Sequence, residues 1–234
     1  KDINTVTEMK MMRMGWKTAG AIVIGLSLGA GALAAQQVEF GVRGGFTAPT
    51  IAWSPSPIGG GPEETERLRA FTGGLTLAVA ATDRLMLHVE LLLTGKGFRE
   101  LEGDGGTSTL DLDYYEVPVL VGLQLSPGSS FSSELYAGPW ISKERSCTAS
   151  LTEGSVALSF DCNEVPDDPI LRKTTDWGIA AGFAISFDTV GPFRALLDAR
   201  YTAGLRNIDD APAVDNVNAR HRGYAVSAGI SLPV

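Results

Sequence analysis

Residues Leu85–Lys96 read LMLHVELLLTGK. Leu85, Leu87, Val89, Leu91 and Leu93 fall on alternate positions, while His88, Glu90, Thr94 and Lys96 fall on the other set. A period of two puts successive side chains on opposite faces, so this segment predicts a β-strand with one apolar and one ionic face. The same alternation recurs outward in both directions. Approximate strand segments are Val38–Thr47, Arg69–Ala80, Leu85–Lys96, Leu110–Leu125, Ser132–Lys143, Thr174–Phe187, Phe193–Leu205 and His221–Val234. No convincing helical period appears after Gln37. The segments exceed the mean globular strand of about 5–6 residues, and they match the roughly 9–11 residues of a tilted membrane-crossing strand.

Between the segments, long and short connections alternate. Ala48–Leu68, Gly97–Thr109, Glu144–Lys173 and Arg206–Arg220 are long; Ala81–Arg84, Ser126–Ser130 and Asp188–Pro192 are short and carry turn residues. That rhythm predicts an all-β, eight-stranded antiparallel up-and-down transmembrane barrel with long outer loops and short periplasmic turns. Lipid offers no hydrogen-bond partner, so a closed sheet is what lets every backbone group pair.

Parity alone does not choose the solvent of each face. The polar face is rich in Gly, Ala and Ser, which a narrow lumen needs where charged side chains cross it. Phe46, Phe71, Tyr115 and Trp177 sit near one end of the apolar face, and Phe187 and Phe193 near the other, as two interfacial girdles would. The apolar face is therefore expected in lipid. The expected lumen network is Glu39, Arg43, Glu90, Lys96, Glu116, Asp176, Arg194, Asp198 and Arg200, five acids and four bases that neutralise one another and plug the barrel. Pro118 and Pro139 each delete a ladder donor, so a bulge or local break is expected there.

The N-terminal region reads as a removable export signal. Met9 is the expected start, followed by Lys10, Arg13 and Lys17, the apolar stretch Ala19–Ala30 and a small-residue cleavage site ending at Ala34. Residues 1–34 are thus assigned to an N-terminal extension and signal peptide and 35–234 to the barrel, exported to the outer membrane of a Gram-negative cell. Cys147 and Cys162, both in the longest loop, are expected to form a disulfide in that oxidising setting.

The chain has 19 Lys and Arg against 27 Asp and Glu, a net charge of −8. Nucleic acid is excluded as the main partner, since phosphate binding needs a basic face. The outer loops hold Glu63, Glu64, Glu66, Glu100, Glu102, Asp104, Asp161, Glu164, Asp167, Asp168, Asp209, Asp210 and Asp215. They are read as solvated surface, with divalent cations bridging to anionic headgroups as the sharper alternative. No catalytic, cofactor or metal residues are assigned. His88 and His221 are read as lumen-packing side chains, because Ser227 and Ser231 on the face of His221 run down the lumen, away from lipid substrate. Other expected partners are outer-membrane lipid and the assembly machinery during insertion, and the state is monomeric. Two rival readings are a soluble periplasmic β-protein binding a small ligand and a lipid-modifying enzyme.

Six motifs carry a family resemblance: FGVRGGF (Phe40–Phe46), YYEVPVLVGLQL (Tyr114–Leu125), LYAGPWIS (Leu135–Ser142), DWGIAAGFAISF (Asp176–Phe187), LDARYTAGLRNI (Leu197–Ile208) and HRGYAVSAGISL (His221–Leu232). In this order they resemble the outer-membrane β-barrel domain family of the PorT-like and OmpA-like kind. The resemblance implies an eight-stranded barrel without a catalytic site.

Overall fold

The computed structural model describes residues 37–54, 63–101, 106–126, 130–162, 164, 172–210 and 218–234. The expected signal peptide and Ala34 lie outside them, as do Glu102, Asp104, Asp167, Asp168 and Asp215. Ten strands are present among the described residues: β1 (Val38–Ser54), β2 (Glu63–Glu64), β3 (Ala70–Ala80), β4 (Leu85–Leu101), β5 (Thr107–Gln124), β6 (Phe131–Glu153), β7 (Val156–Asp161), β8 (Thr175–Asp188), β9 (Arg194–Gly204) and β10 (Asn218–Pro233). Eight of them form a ring in the order β1-β3-β4-β5-β6-β8-β9-β10, each antiparallel to its neighbours. The ring closes where β10 pairs with β1, from Glu39↔Pro233 to Ser54↔Asn218. Short β2 lies on the far end of β1, and β7 folds back on β6.

One end of the barrel holds the short turns. Thr82 Oγ1 accepts from the backbone N–H of Leu85 (3.0 Å), and Thr189 N–H donates to Phe193 O (3.0 Å) around Gly191, whose φ is 91°. Both termini of the sheet are at this end, joined by Val234 N–H to Val38 O (2.8 Å). At the opposite end the strands run further than their alternation predicts. β1 continues from Thr47 to Ser54, β4 from Lys96 to Leu101, and β6 from Lys143 to Glu153. Much of the expected loop is therefore sheet, because each strand still has a neighbour to pair with: Leu101↔Thr107 and Thr107↔Thr152 continue the ladder.

The prolines do not shift the register. Along β5 and β6 the pairs Gln124↔Glu134 to Val121↔Ala137 stop, then resume at Pro118↔Trp140 in the same register. This is a local gap, as two missing N–H donors require. The register shift comes later, between Asp113↔Ser146 and Tyr114↔Glu144, with Arg145 as the extra residue. A bulge inverts the parity of the residues beyond it. Even-numbered Tyr136, Trp140 and Ser142 face inward before it, and odd-numbered Cys147 and Ala149 after it.

The two faces fall as a lipid-facing barrel requires. Leu75, Leu91, Val121, Ile179 and Val226 are exposed on the outside, with the aromatics Phe46, Phe71, Tyr115 and Trp177 at one end of that face and Phe187 and Phe193 at the other. Arg43, Glu90, Glu116, Asp176, Asp198 and Arg200 are buried within. A soluble β-protein would need the reverse, so that rival reading fails.

Candidate functional site

The lumen charges form three layers along the barrel axis. The middle layer is a belt from four alternate strands of the ring: Arg43 on β1, Glu90 on β4, Tyr136 on β6, and Asp198 and Arg200 on β9. Arg43 Nη1 donates to Glu90 Oε1 (2.9 Å) and its Nη2 to Asp198. Arg200 donates through Nη1 and Nη2 to Glu90 Oε2 and Oε1 (2.7 and 2.9 Å) and through Nε to Tyr136 Oη (3.1 Å). Tyr136 in turn donates to the second Asp198 oxygen. Two guanidiniums and two carboxylates thus balance with every member multiply bonded, the condition under which buried ions persist.

Toward the long-loop end lies a second layer. Lys96 Nζ is 2.8 Å from Glu116 Oε2 and 3.9 Å from Asp176 Oδ2, and donates to Ser142 Oγ (3.3 Å). It stands 3.7 Å from the centre of the Trp140 ring, a cation–π contact. His221 Nδ1–H donates to Asp176 Oδ2 (2.9 Å), and its ring meets Tyr114 edge-on. Ser227 is elsewhere, level with Gly45 and Asp198. Toward the short-turn end, Arg194 bonds Glu39 Oε1 (3.0 Å) and Ser132 Oγ (3.2 Å), while Ser231 donates to Glu39 Oε2 (3.1 Å).

The nine lumen residues named from sequence are therefore distributed as Glu39 and Arg194 at one end, Arg43, Glu90, Asp198 and Arg200 in the belt, and Lys96, Glu116 and Asp176 above. Sequence reasoning missed the pair His88 Nε2–Glu134 Oε1 (2.7 Å) and the buried pair Arg172–Glu144. It also missed Tyr136 as a member of the belt. The alternation of Glu134, Tyr136, Trp140 and Ser142 carried a signal for two of these. Arg172 lies outside any alternating segment and gave none.

Small cavities separate the layers. A space of about 80 Å³ lies on the short-turn side of the belt and one of about 20 Å³ on the other, and Arg43 and Arg200 line both. The second has room for about one water molecule. A third cavity, about 200 Å³, opens at the long-loop mouth. It lies between two apolar walls, Leu110, Leu112 and Tyr114 on one side and Ile51, Trp53 and Ile208 on the other. Behind the first wall Cys147 and Cys162 are joined in a disulfide that clamps β7 onto β6, both sulfurs buried against Leu112 and Tyr114.

Among the described residues no three His, Cys, Asp or Glu side chains are grouped so as to hold a metal ion. Of the acidic loop residues, Glu63 and Glu64 form β2, while Glu66 joins Arg99 in an isolated bridge. Asp210 approaches Lys173 at 3.7 Å.

Residues 34–210 match the family model described as outer membrane protein beta-barrel domain. No curated protein matches the chain. Among solved structures it is similar to Neisserial surface protein A, with 14% identity and a TM-score of 0.40 over 82% of this chain and 96% of that one. It is also similar to Ail, the attachment invasion locus protein of Yersinia pestis (14%, 0.41, 83% and 98%). The outer membrane protein OprG from Pseudomonas aeruginosa is a third such structure (12%, 0.39, 83% and 95%).

Proposed function

Because the chain belongs to the outer membrane protein beta-barrel domain family, we propose that it is an integral outer-membrane barrel closed by its own ion pairs and working through its long-loop end. That end faces the cell exterior in this reading, and both ends of the sheet face the periplasm. Surrounding lipid and the insertion machinery are its partners, and it acts as a monomer. The observation that carries the closed lumen is the belt of Arg43, Glu90, Tyr136, Asp198 and Arg200, which lies between two separate cavities. An eight-stranded barrel has an interior just wide enough for side chains to fill. The belt fills it with charges that satisfy one another. An ion crossing the lumen would have to break several charge-assisted hydrogen bonds in a low-dielectric space.

Two measurements test this. The mature chain in a membrane fraction should migrate differently on a gel before and after boiling. The folded protein should then add no steady conductance to a planar lipid bilayer. Stable unitary current steps from the native chain would overturn the closed-lumen reading.

A second reading rests on the cavity of about 200 Å³ at the long-loop mouth. The space opens at the mouth and its lining is mainly apolar, with Ser108, Thr109, Arg172 and Asp209 among it, so a small, mainly apolar molecule is the class it would take. Trp53 lines it, so its fluorescence reports occupancy. Saturable quenching by such a molecule, lost in Leu112→Gln, supports the reading; no saturable change excludes it.

A further inference from the structure

Met86 is the one methionine inside the barrel, and it stands beside a histidine. The other methionines of the chain are Met9, Met11, Met12 and Met14, and its histidines are His88 and His221. Met86 and His88 are successive inward residues of β4, and both line the cavity of about 80 Å³ on the short-turn side of the belt. Methionine commonly fills irregular gaps in apolar cores. Here it is buried in a cavity that it shares with Glu90, Glu134 and Arg194.

The neighbouring strands leave room around this pair. On β3 the partners of Met86 and His88 are Ala80 and Ala78, and on β5 Met86 faces Gly122. The Glu134 carboxylate, from β6, fills the space that a side chain on Gly122 would take. It is therefore level with Met86, one strand further round, and from there it approaches His88, with Nε2 and Oε1 2.7 Å apart. Residues directly opposite on neighbouring strands have Cβ atoms about 4.5–5.5 Å apart, a span that the three rotatable bonds of methionine cover. His88 Nε2 is shielded from solvent and out of hydrogen-bond alignment with its neighbour, while the His88 side chain as a whole is 22% exposed. A thioether, an imidazole and a carboxylate are thus assembled around one glycine, within reach of solvent.

Charge decides what such a donor set would hold. Of the ionic side chains lining the cavity, Arg43 and Arg200 answer Glu90 and Asp198, and Arg194 answers Glu39. Glu134 is left with His88. An imidazole that lends a ring nitrogen to a metal is neutral. One monovalent cation then cancels Glu134 outright, whereas a divalent ion would leave a net positive charge in a low-dielectric lumen. Thioether sulfur selects Cu(I) among common metal ions, and imidazole accepts copper readily.

We propose that Met86, His88 and Glu134 bind one Cu(I) ion at the short-turn end of the lumen. The Met86 sulfur and a His88 ring nitrogen are the soft donors, and Glu134 supplies the opposing charge. The site is built from lumen residues alone, so the inference is independent of whether the barrel conducts and of any ligand at the long-loop mouth.

The test uses the barrel extracted from the membrane fraction, with folding verified by heat-modifiable migration, and Cu(I) kept reduced by ascorbate under nitrogen. Competition with the coloured Cu(I) chelator bicinchoninate reads the affinity. The expected result is binding that weakens at least about tenfold in Met86→Leu and in His88→Gln. Met86→Leu nearly conserves side-chain volume, so it separates lost ligation from lost packing. Copper X-ray absorption should show a sulfur neighbour that diminishes in Met86→Leu; native and variant share every other methionine, so the difference reads residue 86 alone. His221→Gln, on the far side of the belt, should bind as the native chain does. Equal binding by Met86→Leu would overturn the proposal, as would a copper spectrum without sulfur or an equal loss in His221→Gln. Zn(II) binding as tightly as Cu(I) would also overturn it, since the site would then not select the soft monovalent ion. Failure of heat-modifiable migration in the native chain would instead count against the membrane reading itself.

Discussion

Arg200 and Glu90 reach across the lumen from β9 and β4, strands on opposite sides of the ring, and meet in a two-pronged ion pair of 2.7 and 2.9 Å. Removing one member of such a buried pair strands its partner's charge. Glu90→Ala, which leaves both Arg43 and Arg200 without this carboxylate, is expected to destabilise the barrel by about 3–5 kcal/mol. Urea unfolding in lipid vesicles measures it. The double variant Glu90→Gln/Arg200→Gln should cost clearly less than the sum of its single changes, since neither charge is then left alone.

Gly122 makes room for Glu134. A Cβ placed on Gly122 would collide with Glu134 Oε1, the oxygen that pairs with His88. Gly122→Val should therefore displace the carboxylate, separate it from His88 and lower the temperature at which gel migration converts. Adding Glu134→Ala to Gly122→Val should restore part of that loss, whereas a purely backbone effect of the valine would leave the conversion temperature unchanged by the second substitution.

The Cys147–Cys162 link closes a loop of 15 residues, worth up to about 3 kcal/mol where the loop would otherwise be free. Its effect should be local, because β6 and β7 extend beyond the aromatic row. Cys147→Ser/Cys162→Ser is expected to speed limited proteolysis of the β6–β7 hairpin while the boiling-dependent gel shift persists. A barrel that no longer folds without the link would show a wider role.

Asp111 gives a pH prediction. Partial burial first, and the neighbouring Asp113 carboxylate second, hold the Asp111 carboxyl above its ordinary range. Its proton is therefore bound more tightly in the folded barrel than in the unfolded chain. Stability should fall as pH rises from the ordinary carboxylate range, about 4, through the raised folded value, and Asp111→Asn should remove that component. Unfolding midpoints of the two proteins compared across this window test the sign. A native-minus-variant difference that grew with pH in favour of the native chain would contradict it.

The barrel was legible because its two solvents differ so sharply. Leu85–Lys96 states the faces of β4 outright, and the same parity assigns Arg43, Asp198 and Arg200 to the inside. The extensions were not legible. Residues such as Thr50, Ser108 and Ser150 lie on strands held by backbone pairing, in places where neither face meets hydrocarbon, so no alternation marks them. The position of Cys147 was hidden for a related reason. A single extra residue, Arg145, reverses inside and outside beyond it, and nothing in the local composition announces that. The partnerships within the lumen escape sequence parity entirely, since parity names the face of a residue and leaves open which opposite strand it meets.

The partners in the belt are also far apart along the chain: 47 residues separate Arg43 from Glu90, 110 separate Glu90 from Arg200, and 155 separate Arg43 from Asp198. Half of the charge that neutralises Arg43 thus arrives on the penultimate strand, and the sheet seals only when β10 finds β1. Any early hairpin would carry naked ions against hydrocarbon, which is prohibitively unfavourable. Entry into the bilayer and the last strand's docking must accordingly be a single concerted event, with slow, high-contact-order kinetics. Truncation before β9 should leave a chain unable to enter at all rather than a smaller pore.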